Sequence, residues 1–449
     1  MPAPRLRLIE GGAGAPAGPR QAMELMLVGV ALTAVCSFVA QLPSWRAELA
    51  SLQLALFAGF ALLAIALARL PRWRGLPYGG AAVMVVALAM RLAVLGVTPT
   101  LSDDVYRYVW DGMVVAHGED PYAHAPADPV LAPLRENAIH PFINHPDLRT
   151  IYPPIAQAGF ALVARLSPTV RAMKLWIILH DLALIAVLLW WLPRRGASPL
   201  AAIAYAWNPL VVCEYAGSGH HDPTALVWLV LALALAEKRP VISALAWSAA
   251  VLVKLFPLLA LPYLLRDWPW RARVVAFVCA GAGLGVFATH AWGPGSGLAA
   301  FATTWRNNDS LYGFAQAVFT PTYARLAAAA ALAVFAGWLW MRRTEAAAAT
   351  RTLLRAALLA GPVAHPWYFG WPLALEPLSP SAPWLLLSCL SVLSYGLLAT
   401  SAQGGAFHLG VGGRVFEYGV PAALAAWLAW LEWSTRRRGA AQGETHDGA

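Results

Sequence analysis

Hydrophobic residues recur along this chain in long runs that are separated by short polar segments. A run of about 20 apolar residues is long enough to cross a bilayer as a helix. The lengths of the runs and the charges at their ends predict spans at 23–42, 53–70, 79–97, 170–193, 198–216, 222–237, 272–291, 322–341, 350–364, 366–379, 382–399 and 415–432. The pattern predicts an all-α, polytopic membrane helix bundle with about 12 to 14 transmembrane helices.

Two apolar segments do not fit a simple span. Residues 154–166 are short, and a crossing there would put Arg194 and Arg195 outside, so we interpret this segment as an interfacial or re-entrant helix. Residues 240–265 carry Lys254 and Pro257 in their middle, and we expect a pair of short helices that is broken there.

Composition and charge agree with a membrane protein and indicate its orientation. The 449 residues are 59% hydrophobic and 12% charged, whereas a soluble domain carries about 25% charged residues. The net charge is +9, and Arg and Lys residues cluster between apolar runs, for example at 69–74, 266–273 and 436–438. Under the positive-inside rule such clusters face the cytoplasm, so the basic balance needs no nucleic-acid partner.

This charge distribution predicts a multi-pass protein of the bacterial inner membrane with both termini in the cytoplasm. We expect a disordered cytoplasmic tail at 1–22, a single transmembrane domain at 23–434 and a cytoplasmic tail at 435–449. No internal repeat is visible in the sequence, which disfavours the transporters that are built from paired halves.

The longest polar segment, residues 98–153, is predicted to lie outside the membrane. It holds eight of the 23 acidic residues, with three Arg and no Lys. Its first part has helical spacing, because Val105, Val109 and Met113 share one face. We expect a short helix along the membrane surface that ends near Gly118.

The acidic pair Asp103 and Asp104 opens this loop directly after a predicted span. A carboxylate at the level of the lipid headgroups can act as the base that takes a proton from an attacking hydroxyl. Two adjacent carboxylates also repel each other, which can raise one pKa and separate their roles. The alternative is structural, because Ser102 followed by two Asp residues makes a favourable first helical turn.

Five segments carry a resemblance to a known family. The loop reads SDDVYRYVWDGMVVAHGEDPY at 102–122 and TIYPPIAQAGF at 150–160; later come NPLVVCEYAGSGHHD at 208–222, VKLFPLLALP at 253–262 and HPWYFGWPLALEP at 365–377. In this order they resemble bacterial integral-membrane mannosyltransferases of the GT-C superfamily, including the branch that uses polyprenyl-phosphate mannose. The resemblance covers most of the chain. It rests on the occurrence of all five segments in the same order as in the family, and not on any single motif.

The resemblance implies a GT-C helix bundle with short surface helices in a catalytic external loop at 98–153. It also implies an inverting glycosyltransferase with a polyprenyl-phosphate sugar donor, and it favours mannose. The family's loop has an acidic residue four positions before a Tyr, which here selects Asp104, before Tyr108, as general base. Asp103 is the alternative base or a residue that orients the acceptor, which would be a hydroxyl of a glycolipid or glycan.

Two cations are candidate contacts for the donor phosphate. Lys254 lies inside an apolar run, where insertion scales assign a cost of roughly 2.5–3.5 kcal/mol, and such residues are functional candidates. Its alternative is to reach the nearer membrane interface with its ammonium group. Arg107 follows the acidic pair by one helical turn, and its alternative is an ion pair with one of those two carboxylates.

Sugar and acceptor contacts are expected from residues of the matching segments, namely Tyr152, His220, His221, Asp222, His365, Trp367 and Tyr368. The run from His220 to Asp222 also suggests a metal site, but adjacent helical residues point about 100° apart and seldom bind one ion together. A solvated helix cap is a further alternative. The aromatic residues equally suit the interfacial belt of a membrane protein. We predict no dedicated metal ligands and leave a bridging divalent cation open.

Two other functions stay open at this point. An O-antigen polymerase or ligase would also be polytopic, but its large loop is expected late in the chain with paired Arg residues. A secondary transporter is expected to show repeat symmetry and broken helices in paired positions, and only the break at 240–265 fits. The favoured function is sugar transfer on the extracytoplasmic face of the lipid bilayer.

Overall fold

The protein is helical throughout the part of the chain that the structure describes. The computed structural model describes residues 18–290, 292–401 and 409–444, and none of these belongs to a β-strand. The α-helices are α1 (Pro19–Gln41), α2 (Leu49–Trp73), α3 (Gly79–Val94), α4 (Asp104–Ala116), α5 (Pro154–Leu166), α6 (Val170–Arg194), α7 (Ile203–Ala206), α8 (Pro209–Val211), α9 (Pro223–Leu235), α10 (Pro240–Val251), α11 (Leu261–Asp267), α12 (Trp270–Ala288), α13 (Gly297–Thr303), α14 (Leu311–Val318), α15 (Pro321–Met341), α16 (Ala346–Ala360), α17 (Gly370–Leu373), α18 (Ala382–Leu390), α19 (Gly396–Ser401), α20 (Val411–Arg414) and α21 (Val420–Glu444).

Shorter helical segments of two kinds join these helices. The 3₁₀ segments are Pro129–Leu134, His140–Phe142, Pro199–Ala202, Phe256–Ala260, Pro366–Phe369, Glu376–Leu378 and Ser391–Tyr395. The π-helical segments are Val212–Gly217 and Val415–Gly419. The predicted all-α, polytopic fold class is confirmed.

Apolar helices of sufficient length make this a membrane protein. Among the described residues, five helices are long and apolar enough to cross a membrane: α1, α2, α6, α12 and α15. Five more apolar segments are shorter, namely Gly79–Val94, Pro154–Leu166, Pro223–Leu235, Pro240–Val251 and Ala382–Leu398. The number of 12 to 14 spans stays a prediction, because length and composition single out only those five described helices.

Two segments that were expected as continuous spans are interrupted instead. Residues 198–216 divide into a 3₁₀ turn, α7, α8 and part of a π-helical segment, and residues 366–379 divide into two 3₁₀ turns around α17. Proline causes these breaks, since it lacks an N–H group and clashes with the preceding turn. Both segments are largely buried, and irregular backbone is tolerated at membrane depth where protein surrounds it.

Other predicted helices are present in the structure, while their location relative to the membrane stays a prediction. The helix expected after Asp103 is α4, and the segment 154–166 is α5. The chain at 240–265 breaks after α10, and α11 follows a 3₁₀ turn that contains Pro257. At the N-terminus, α1 includes residues 19–22 of the expected tail. The disorder predicted for residues 1–17 lies outside the described residues, as do residues 445–449 of the C-terminal tail.

One buried ion pair ties α3 and α6 to the first interrupted segment. Arg91 on α3 donates from Nε to Asp181 Oδ2 on α6 over 2.7 Å. Tyr205 on α7 donates its hydroxyl to Oδ1 of the same carboxylate over 2.6 Å. Arg91 also donates to the carbonyl oxygen of Ala206 over 2.8 Å. Both charged side chains are fully buried, so the pair links three elements inside the protein.

Removing one charge of this pair should destabilise the protein strongly. Asp181→Asn leaves the guanidinium of Arg91 buried without a counter-charge, and breaking such a pair costs about 3–5 kcal/mol. We expect a clearly lower thermal unfolding midpoint of the detergent-solubilised protein. The matched control is Arg195→Gln, which breaks the exposed pair of Arg195 with Glu345, because surface pairs contribute about 0–1 kcal/mol. An unchanged midpoint for Asp181→Asn would contradict the linking role.

Candidate active site

Asp104 is the first residue of α4, a helix that is well anchored in the protein. Nine of the 13 residues of α4 are buried. The carboxylate of Asp104 remains 24% exposed. Asn144 donates from Nδ2 to Oδ1 over 2.7 Å, and His220 Nε2 lies 3.8 Å from Oδ2. The side chain is therefore held from two sides and still reaches solvent, which suits a proton acceptor.

Asp103 precedes α4 and is more exposed than Asp104. It occupies the N-cap position, but within the described structure its side chain makes no capping hydrogen bond. The hydroxyl of Ser102 instead accepts from the backbone N–H of Asp104 over 3.3 Å. Loss of water around Asp103 raises the pKa of its carboxyl, Arg46 opposes this, and Asp104 adds to it. The two acids thus have different surroundings, and loss of water contributes more to the Asp103 shift than repulsion by Asp104 does.

His220 lies in the short connection between the first π-helical segment and α9. Its Nδ1 is 2.9 Å from Glu214 Oε2 and 3.2 Å from the carbonyl oxygen of Glu214. Its ring stacks on Trp367 with centroids 3.8 Å apart, and Trp367 stacks on His365 at 4.1 Å. The structure thus brings three predicted sugar-site residues into one aromatic stack beside Asp104.

Lys254 and Asp222 form an ion pair next to this stack. Lys254 Nζ is 2.6 Å from Asp222 Oδ1, and the indole N–H of Trp371 donates to the same oxygen. The ammonium also lies 5.1 Å from the ring centroid of Tyr368. Asp222 is fully buried, whereas the Lys254 side chain remains 17% exposed. The ammonium is therefore paired with a buried carboxylate, on a side chain that stays partly exposed.

His221 and Tyr152 are packed into the protein behind the acidic end of α4. The His221 ring meets Tyr108, Tyr152 and Phe160 at centroid distances of 4.8, 5.0 and 5.3 Å. His221 is fully buried and Tyr152 is 9% exposed. Their predicted sugar contacts stay a prediction, and the structure places both in a cluster of aromatic edges that supports α4 against α5.

Arg107 makes its polar contacts within residues 98–153, the segment in which it lies. Its Nε is 2.7 Å from Asp111 Oδ1, and Nη2 donates to the carbonyl oxygen of Leu148 over 2.8 Å. Gln157 donates to the other oxygen of Asp111 over 3.2 Å. The ion-pair partner is thus Asp111, rather than either residue of the acidic pair. Because the side chain is only 7% exposed, its predicted contact with a donor phosphate receives no support from this arrangement.

The connection between α13 and α14 borders the site. Trp305 packs on His145 with ring centroids 4.7 Å apart. The backbone N–H of Asn307 donates to the carbonyl oxygen of Pro362 over 3.0 Å, and Ala364 donates back to Asn307 over 2.8 Å. These contacts join the loop between α4 and α5, which carries Asn144, to the 3₁₀ segment that carries Trp367. Burial lowers the pKa of His145, whereas the negative charge of Asp104 acts to raise it.

Sequence reasoning missed several of these neighbours. Asn144 carries no motif signal, and it meets Asp104 from 40 residues away. Glu214 was assigned no role in the site, although it stands six residues before His220 in a segment that resembles the family. Across the described ranges, no group of three or more His, Cys, Asp or Glu side chains is arranged to hold a metal ion.

Comparison with known proteins identifies a family match over the first part of the chain. A family model described as alpha-(1->6)-mannopyranosyltransferase, N-terminal domain, matches residues 22–269, which include Asp104, His220 and Lys254. Alpha-(1->6)-mannopyranosyltransferase A from Mycobacterium tuberculosis (strain ATCC 25618 / H37Rv) is 27% identical. The alignment covers 62% of this chain and 61% of that relative, so the match spans about three-fifths of the relative's length. No solved structure matches.

The family match covers more than half of the 449 residues, from α1 to the start of α12. It confirms the resemblance to integral-membrane mannosyltransferases that the ordered motifs indicated. The chain belongs to the alpha-(1->6)-mannopyranosyltransferase family.

Proposed function

We propose that this protein is a membrane-embedded mannosyltransferase that uses a polyprenyl-phosphate mannose donor and transfers mannose to a hydroxyl of a glycan or glycolipid. The observation that carries the proposal is the carboxylate of Asp104, which is held by Asn144 and remains partly exposed in the segment matched by the family model. The relative's name supports mannose and an α-(1→6) linkage.

The proposed chemistry is a direct displacement at the anomeric carbon. Asp104 takes the proton of the acceptor hydroxyl as the oxygen attacks, the bond from the anomeric carbon to the phosphate oxygen breaks, and the phosphate leaves with that electron pair. Inversion then converts a β-linked donor into an α-linked product. The phosphate departs already charged, so no strong general acid is required.

The proposed orientation places this chemistry on the extracytoplasmic face of the bacterial inner membrane. Residues 98–153 then form the catalytic external loop, residues 23–434 form one transmembrane domain, and both termini face the cytoplasm. The positive-inside distribution of Arg and Lys supports this orientation. The polyprenyl chain would stay in the bilayer while its phosphate meets the site at the outer interface.

Transfer can be tested in membranes that contain the protein. We would supply radiolabelled polyprenyl-phosphate mannose with a lipid and glycan extract, in parallel with Mg²⁺ and with EDTA. The expected result is label in a new product that an α-(1→6)-specific mannosidase releases. If neither arm yields a labelled product with this donor, the proposal is contradicted. Solute uptake by vesicles that lack any lipid-linked sugar would favour a transporter instead.

Lys254 is the proposed contact for the donor phosphate, because its ammonium is the one of the two predicted cations that stays partly accessible. The double variant Lys254→Met with Asp222→Asn removes both charges of the pair and leaves no buried charge unpaired. A hydrogen bond between charged groups contributes about 1.5–3 kcal/mol, so we expect kcat/KM for the donor to fall roughly 10- to 150-fold.

The control for this double variant is Asp222→Asn alone, which keeps the ammonium. It should retain more of kcat/KM than the double variant, because the phosphate can still meet Lys254. Equal kcat/KM for the double variant and the wild type would mean that the ammonium only balances Asp222.

A further inference from the structure

A chain of buried polar groups runs from Asp104 into the protein. His220 Nε2 faces Asp104 Oδ2 at 3.8 Å, and His220 Nδ1 faces Glu214 Oε2 at 2.9 Å. The hydroxyl of Tyr395 donates to Glu214 Oε1. His220 and Glu214 are each 1% exposed. The sugar-transfer chemistry proposed above assigns no role to His220, Glu214 or Tyr395.

The contacts of His220 decide which ring nitrogen carries a proton. Nδ1 lies within reach of both the carbonyl oxygen and the carboxylate of Glu214. Both of these groups are acceptors, so Nδ1 carries the hydrogen. Nε2 faces Asp104 Oδ2 from 3.8 Å, and within the described part of the chain it has no hydrogen-bond partner. A proton on Nε2 would place a positive charge between the two carboxylates.

The surroundings fix the direction in which His220 points. Its ring stacks on Trp367, and its backbone N–H donates to the carbonyl oxygen of Glu214 over 3.0 Å. Gly219 precedes it with a φ of +82°, where a side chain would be strained. A Cβ there would also lie 3.0 Å from Val105 of α4. The turn therefore brings His220 close to the helix that carries Asp104.

Burying Glu214 costs free energy unless a partner compensates its charge. The residue lies in a π-helical segment, and such segments occur frequently at functional sites. An apolar residue would be the cheaper choice at a purely structural position. The cost is consistent with a carboxylate that is retained for its effect on His220.

We propose that His220, fixed by Glu214 and Tyr395, is a positioning residue that places a positive charge beside Asp104 and keeps its carboxylate aimed at the acceptor hydroxyl. This inference rests on the proposed role of Asp104 as general base. As an imidazolium, His220 points an N–H toward Oδ2 from 3.8 Å, while Asn144 donates to Oδ1 over 2.7 Å. The carboxylate is therefore bonded at one oxygen and attracted electrostatically at the other.

The protonation of His220 gives this proposal a pH signature. Burial alone would lower the pKa of His220, but its contact with Glu214 raises it, with smaller contributions from Asp104 and Asp222. Activity should therefore persist at neutral pH and fall at high pH as His220 loses its proton. The titratable side chains that face His220 from the surrounding elements are Glu214, Asp104, Asp222, His221 and His365.

The test is the pH profile of kcat/KM for mannosyl transfer by the full-length protein. Glu214→Gln removes the charge that holds the proton on His220, so the high-pH limb should move down by about one pH unit or more. His220→Gln removes the titrating group, so the high-pH limb should disappear. His180→Gln is the matched control, because His180 lies on α6 and bonds only its own helix at Trp176.

Lower rates with the high-pH limb unmoved in both variants would overturn the proposal and leave His220 as a structural residue. Folding is checked by size-exclusion chromatography in detergent. If both Gln variants misfold, Tyr395→Phe decides: a Glu214 carboxylate without its phenol donor holds the His220 proton more strongly, so the high-pH limb should move up. An unmoved limb there would also overturn the proposal. Failure of the proposed function is distinct, because the wild type would then show no transfer at any pH.

Discussion

Asp104→Asn should nearly abolish mannosyl transfer while leaving the protein folded. General base catalysis contributes about 10²- to 10⁴-fold to a rate, and we expect kcat to fall by that factor. In the wild type, Asn144 donates to Asp104 over 2.7 Å. Asparagine keeps the shape of the side chain, and its carbonyl oxygen can still accept this hydrogen bond. It cannot take a proton from the acceptor hydroxyl. The measurement is transfer of labelled mannose at equal amounts of monodisperse protein.

Asp103→Asn is the matched control for this prediction. The two residues are adjacent and chemically identical, but Asp103 is the more exposed of the two and lies outside the contacts of Asn144 and His220 with Asp104. We expect a reduction of less than about tenfold. Loss of transfer only in Asp103→Asn would move the base by one residue. Normal transfer in both variants would end the proposal that either carboxylate is the base.

The choice of Asp104 rests on the family resemblance, because the family's loop has an acidic residue four positions before a Tyr, which is Tyr108 in this chain. It stays a prediction. The pairing of Arg107 with Asp111 could have been predicted from the sequence, because residues four apart on a helix are neighbours.

The partners of Asp104 could not be predicted in this way. Asn144 and His220 come from a polar loop and from a connection between helices, and no periodic pattern relates such positions to α4. The ion pair of Lys254 with Asp222 spans 32 residues and a helix break. Each contact depends on how the interrupted segments fold back, which hydrophobicity does not encode.

Hydrophobicity also explains why two spans were predicted as continuous. Residues 198–216 and 366–379 are apolar because they are buried, and burial inside a protein gives the same signal as burial in lipid. The prolines in both segments were the sequence signal that indicated a break in the helix. The interruptions matter for function, because the π-helical segment positions Glu214 and the 3₁₀ turn after His365 positions Trp367.

Gly112→Ala should disrupt the site from two helical turns away. A Cβ at this position of α4 would lie 2.3 Å from the carbonyl oxygen of Phe160 on α5, and backbone cannot move aside as a flexible side chain can. The helices must separate, and overpacking of this kind costs about 1–3 kcal/mol. Asp104 lies eight residues earlier on the same helix, so its distances to Asn144 and His220 must change as α4 shifts.

We therefore expect Gly112→Ala to lower both the thermal unfolding midpoint and the rate of transfer, the latter by more than about tenfold, since misplacing a catalytic group by about 1 Å can cost 10²-fold. Gly281→Ala on α12 is the matched control, because a Cβ there meets nothing within 4 Å, and alanine in a helix is favoured over glycine. That variant should keep wild-type transfer with an equal or higher midpoint. Wild-type transfer by Gly112→Ala would show that the position of Asp104 does not depend on the close contact of α4 with α5.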